Sequence, residues 1–301
     1  PLGVSASENT IEGISSSNYH SDDAPPRYKI AFIGGLSGTQ ECHDVYIKGM
    51  AVLPELPVDI GFIASDLTSS HSPVKDQVFP PEGGFFFDRD SVESRYAWRW
   101  LTMESPDLVI ELRHGESTSI IQSESYTERE KGSLLGEISA GVGPTPGSIP
   151  SVRITGTTET VKDQLLQTIK NVSENSPSHS SAWLELEQRS SRSPLEAATI
   201  LGNIYGYKLD EPINYVQGVA ISGRLRLHNI SKSTPNPSEQ IGGLVNFLTT
   251  YEGFERNNKS GPNLAAVCWA PELAEETGEN VWNKLLLDAA NTYETVERGI
   301  S

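Results

Sequence analysis

Three apolar stretches separated by helix-patterned segments constrain this chain more than any other feature. They are "YKIAFIG" (28–34), "VDIGFIAS" (58–65) and "SPDLVIELRHG" (105–115). The first and third close on glycine and carry β-branched residues at a density that predicts strands. Between them the spacing predicts a helix over about 40–53, stopping at Pro54, and a second over 91–104 with Ser91 at its N-cap position. Strands alternating with helices predict a parallel sheet. Ligands in such sheets bind outside the carboxyl ends of the strands. The Gly34-Gly35 turn, Gly115 and His114 all fall there.

The remaining segments fit around that sheet. Residues 1–27 are rich in Ser, Asn and Asp and predict an arm or a short edge hairpin. Residues 115–150 predict a long loop, of the kind that is functional or mobile. "TVKDQLLQTIKNV" (160–172) is amphipathic helix, "SAWLELEQ" (181–188) alternates like a strand, and "SPLEAATILGNIYGY" (193–207) opens with Ser-Pro as a helix. From Pro212 the pattern changes to four consecutive helices, over 213–231, 238–253, 263–278 and 281–297, joined by Gly/Pro/Asn turns. The expected architecture is therefore an α/β domain (28–207) with a mostly parallel mixed sheet flanked by helices. A small all-α unit of helical hairpins (212–301) follows it. Hairpins of this kind need further pairs to bury their outer faces, so a further domain or partner chain is expected to pack on them.

The net charge is −17. A surface this acidic repels phosphate backbones and anionic lipid, which excludes nucleic acid and membranes as partners. Cys42 and Cys268 form no CxxC pair, so a thiolate zinc site is not expected and two free thiols are. No apolar run reaches membrane-spanning length. No signal-type segment opens the chain at Pro1, which fits a mature form or a fragment. A soluble protein is expected; secreted and periplasmic locations both stay open, and the sequons at Asn171, Asn229 and Asn258 weigh little.

The stretch "AFIGGLSGTQECHD" (31–44) is no P-loop, because the Lys-Ser/Thr that a phosphate cradle needs is missing. It resembles the zinc carboxypeptidase family, in which a strand enters Gly-Gly-x-His-Gly-x-Glu and the His and Glu bind zinc. Here Ser37 stands in the histidine position and Gln40 in the glutamate position. "FFFDRDSVESR" resembles the family's Asn-Arg segment that grips a substrate carboxylate, with Asp88 replacing the asparagine and Arg89 retained. "PDLVIELRHG" resembles the strand ending in the third zinc ligand, with Arg113 in its place and His114 one residue late. "AWLELE" resembles the late strand carrying the catalytic glutamate, and Glu185 or Glu187 matches it; two apart on a strand, they face one side.

The resemblance covers about residues 28–207 and implies a zinc carboxypeptidase or deacylase fold with a degraded metal site. Ser37 and Gln40 are poor zinc ligands, and Arg113 repels a dication. No cofactor is therefore expected. The cleft would be lined by Ser37, Gln40, Asp88, Arg89, Arg113, His114 and Glu185 or Glu187. It would bind a small anionic ligand, a peptide C-terminus or a uronate-bearing glycan, through arginine forks. Any surviving hydrolysis would use a glutamate as base. The alternative is an active metal-dependent hydrolase with zinc on shifted ligands Glu41 and His114, completed by His43. The helical segments "YVQGVAISGRLRL" and "LAAVCWAPELAEETGE" resemble, more weakly, the opening repeats of α/α-toroid glycan hydrolases. That implies an accessory role in a larger glycan-processing enzyme. Trp98 and Trp100 are expected in the core. Gln217, Arg224 and Arg226 are expected at the surface or in hairpin packing.

Overall fold

The computed structural model describes residues 1–5, 8–67, 78–81, 92–123, 130–143, 145–175, 178–209, 213–231, 234–250 and 260–298. The chain divides into two compact units, 1–190 and 191–301.

The first unit begins with short strands β1 (Gly3–Val4) and β2 (Thr10–Ile11), which pair antiparallel. The main elements are β3 (Gly13–Ser15), β4 (Tyr28–Gly34), α1 (Gln40–Met50), β5 (Ile60–Asp66), α2 (Val92–Glu104) and β6 (Leu108–His114). After these come β7 (Ser119–Gln122), α3 (Leu134–Ser139), β8 (Ser151–Gly156), α4 (Val161–Asn175) and α5 (Ser181–Ser190). Strands β3 to β8 form one six-stranded sheet in the order β3-β5-β4-β6-β8-β7. The inner four are parallel, while β3 and β7 pair antiparallel at the edges. The chain runs outward from β4 to β5, then returns to lay β6 on the other side of β4. The order therefore reverses between β4 and β6, and a crevice at their carboxyl ends is the place such sheets offer a ligand.

Both faces are covered, which explains the continuous apolar strands. One face packs Ile30, Phe32, Ile110 and Ile154 against Val45 and Tyr46 of α1 and Val161 and Leu165 of α4. The other packs Ala31, Ile33, Ile63 and Val109 against Trp98 and Leu101 of α2 and Leu134 and Ile138 of α3. Each buried Val, Leu, Ile or Phe among these contributes roughly 1.5–3 kcal/mol by leaving water. The buried carboxylate of Asp107 ties the chain across this unit. It accepts from Lys29 N at 2.8 Å and from Ser180 N at 3.0 Å.

Two expectations need correction. The described parts of 115–150 are not one loop: they supply edge strand β7 and helix α3, capped by Ser133 Oγ accepting from Gly136 N. "SAWLELEQ" is helix α5, not a strand. Ser180 Oγ accepts from Trp183 N at 3.0 Å as a cap, and Glu185 pairs with Arg189 one turn on. Only Ala182 of this helix is buried, so its alternation marks no buried sheet face.

The second unit holds α6 (Pro194–Ile204), α7 (Tyr215–Ser231), α8 (Ser238–Val245), α9 (Gly261–Leu264), α10 (Ala270–Thr277) and α11 (Val281–Arg298). Helix α6 carries a full capping box between Ser193 and Glu196 and packs with α7 in this unit. The core gathers Ile221, Leu225, Ile241, Leu248, Trp269 and Trp282. Ile200, Leu201 and Ile204 of α6 are exposed. Among the described residues no helix is long and apolar enough to cross a membrane.

Candidate functional site

The β4–α1 turn is built by glycine. Gly35 and Gly38 take φ of 73° and 68°, and Gly38 N donates back to Gly35 O at 2.9 Å. L-residues with a Cβ are strained there. Gly34 is equally constrained, because a Cβ would sit 2.4 Å from the Tyr46 ring. Thr39 then caps α1, its hydroxyl accepting from Cys42 N.

This turn and the end of β6 do meet, and Cys42 is the joint. Its buried thiol accepts from the Ser37 hydroxyl and, at 3.3 Å, from His114 N. Ser37 and His114 thus come together through sulfur and main chain. Gln40 turns along the helix instead, donating to Asp44 Oδ1 at 2.9 Å. His43 Nδ1 bonds the Asp66 carboxylate at the end of β5. Glu41 is exposed on the first turn of α1.

Arg113 lies elsewhere. Successive strand residues point to opposite faces, so Arg113 shares a face with Glu111 and not with His114. Its Nε donates to the buried Glu111 carboxylate. The register places Arg153 of β8 opposite Glu111. Arg153 Nε donates to Glu111 Oε2 at 2.9 Å, and its Nη1 donates to both Glu130 oxygens at 3.1 and 2.9 Å. Burial works against the Arg153 charge, but the carboxylates of Glu111 and Glu130 outweigh it and hold the guanidinium above its ordinary range. Burial likewise raises Glu130, while Arg153, with Ser133 and Arg113, more than offsets this and keeps it below the usual carboxylate range. Arg153 Nη2 is buried with no hydrogen-bond partner among the described residues. The Arg113 side chain is 36% exposed and that of Arg153 7%. Two guanidiniums therefore converge on one carboxylate, the first reaching solvent and the second holding an unused donor.

The other expected site residues are not gathered here. Asp88 and Arg89 lie outside the described residues. Glu185 and Glu187 ride on α5, where a two-residue step is about 200° and turns them to opposite sides. That replaces the shared strand face expected for them. Glu185 is held by Arg189 Nε at 2.7 Å. The shifted zinc set does not assemble either. Among the described residues no group of three or more His, Cys, Asp or Glu side chains is placed to hold a metal ion. His43 is engaged by Asp66, and His114 is fixed to Cys42 through its main chain.

Sequence reasoning missed Cys42 as the joint and Arg153 as the second guanidinium. Cys42 had a signal, lying three residues beyond a threonine cap. Arg153 had none, because its role depends on the β6–β8 register.

No family model matches the sequence. No curated protein and no solved structure matches it either.

Proposed function

We propose that the crevice at the carboxyl ends of β6 and β8, on the α3 side of the sheet, recognises a carboxylate, as the free C-terminus of a peptide or the uronate of a glycan. In this reading the domain is a carboxypeptidase-like scaffold whose zinc positions are taken by Ser37, Gln40 and Arg113. One observation carries it: Arg113 and Arg153 converge at the strand ends with more N–H donors than Glu111 and Glu130 use. Arg113 would meet the ligand from solvent as a planar fork, and Glu111 would hold its Nε in place. The domain binds; no residue in the crevice is assigned a bond-breaking step.

The test is calorimetric titration of the full chain with a tripeptide acid against its amide, and with trigalacturonate against its methyl ester. Binding of one acid and not of its neutral counterpart is expected. Arg113→Gln should weaken it by tenfold or more, the scale of a lost charge-assisted hydrogen bond. Equal affinity for acid and neutral forms would sink the reading. So would stoichiometric zinc by elemental analysis that is lost in His114→Ala.

A further inference from the structure

The helical unit holds a cavity of about 230 Å³, lined by residues that include Asn203, Tyr207, Arg224, Leu227, Thr234 and Gln240. Arg224, on α7, is only 8% exposed. Its guanidinium lies 3.7 Å from the Tyr207 ring centroid. Nη1 donates to Gly206 O and Nη2 to Gln240 Oε1, each at 2.6 Å. All three partners are neutral, and among the described residues no carboxylate pairs with this arginine. Buried charges are ordinarily paired, because desolvation without a counter-charge is costly. Two hydrogen bonds also use only part of the five donors a guanidinium carries.

A second observation points the same way. Thr234 Oγ1, on the wall of the same cavity, is buried with no hydrogen-bond partner among the described residues. Gly206 takes φ 81°, and a Cβ there would fall 2.9 Å from Arg224 Cδ, so glycine at this position makes room for the Arg224 stem. A purely structural tie between α7, Gly206 and Gln240 would need neither the cavity nor the stranded hydroxyl.

We propose that this cavity binds a small organic carboxylate, with Arg224 as its counter-ion and Thr234 Oγ1 as a second contact. The planar fork suits a carboxylate, and Tyr207 and Leu227 suit an organic body over inorganic phosphate. The volume lies below the roughly 300–1,000 Å³ of drug-sized clefts, so the ligand is a single sugar acid or smaller. Peptides and oligosaccharides do not fit. The proposal is independent of the strand-end crevice, and either can fail alone.

The test uses the full chain with D-glucuronate as probe, D-glucose as uncharged control and inorganic phosphate as competing anion. The readouts are NMR shifts of the Gly206 and Thr234 amides and the melting midpoint. Saturable glucuronate shifts at those amides are expected, with none from glucose and at least tenfold weaker binding of phosphate. Arg224→Lys should weaken binding tenfold or more, and Thr234→Val about three- to tenfold. Absence of saturable shifts in the wild type up to tens of millimolar overturns the proposal, as does phosphate binding equally well. Undiminished binding in a folded Arg224→Lys overturns it too. If that variant does not fold, Thr234→Val decides, and unchanged affinity there refutes the assignment.

Discussion

Replacing Glu111 by leucine tests the electrostatic frame on which the strand-end crevice rests. Glu111 is 1% exposed and serves both Arg113 and Arg153. The two arginines respond differently to its loss. Arg113, 36% exposed, can swing into water, so its share is the about 0–1 kcal/mol of a surface pair. Arg153, at 7%, cannot escape and keeps only Glu130, whose carboxylate is 38% exposed. Removing one partner of a buried pair costs about 3–5 kcal/mol. Glu111→Leu is thus expected to destabilise the sheet unit by about 3–4 kcal/mol, a shift of roughly 10 °C at a few degrees per kcal/mol. Glu111→Leu/Arg153→Met should recover most of this, because an apolar pair of similar volume needs no desolvated partner. Urea unfolding gives the free energies. Amide exchange in 28–34 and 108–114 shows that the loss falls in the central strands. A single variant within about 1 kcal/mol of wild type would refute the reasoning, as would a double variant as unstable as the sum of the singles.

Two further outcomes follow from the same geometry. In α7, Gly218→Ala should destabilise despite alanine's helix preference of about 1 kcal/mol, because its Cβ would sit 2.3 Å from the Ala266 carbonyl oxygen. Gly223→Ala, where a Cβ meets nothing within 4 Å, should stabilise by about 0.5–1 kcal/mol; urea midpoints compare the pair. For pH, Glu130 is held below its ordinary range against the pull of burial, chiefly by Arg153. A depressed folded value means stability that is present above the unfolded value, about 4.3, and is lost as pH falls through the folded one. Acid unfolding of the sheet unit should therefore steepen below about pH 4, and Glu130→Gln should flatten that slope; an unchanged slope would contradict it.

How far the sequence carries is decided by the range of the interactions involved. Strand 28–34 was legible to the residue, because its apolar run meets a glycine turn that needs positive φ. The helix start at Ser193-Pro194 was legible for the same local reason. Helix α5 was misread because "AWLELE" satisfies a period of two by composition, while its deciding contact, the Ser180 cap, stands two residues before the pattern. The separation of Arg113 from His114 was available in principle, since strand neighbours face opposite ways. The Glu111–Arg153 pairing was not, because it spans 42 residues and depends on strand register.

The charge of the chain sharpens what its buried arginines mean. With a net charge of −17, the long-range field repels anions, so nothing about the surface as a whole attracts one. That field is screened within about 10 Å at ordinary salt. At shorter range the local groups decide. Arg153 and Arg224 are each desolvated, each bonded in part, and each next to a polar atom with no partner among the described residues: Arg153's own Nη2, and Thr234 Oγ1 beside Arg224. Folding has paid desolvation at both arginines, and packing alone would be met by an apolar side chain of the same volume. In the two proposed readings, guanidiniums kept where aliphatic residues would fit set a short-range attraction inside a long-range barrier, one that would favour anions filling the place over those that merely approach.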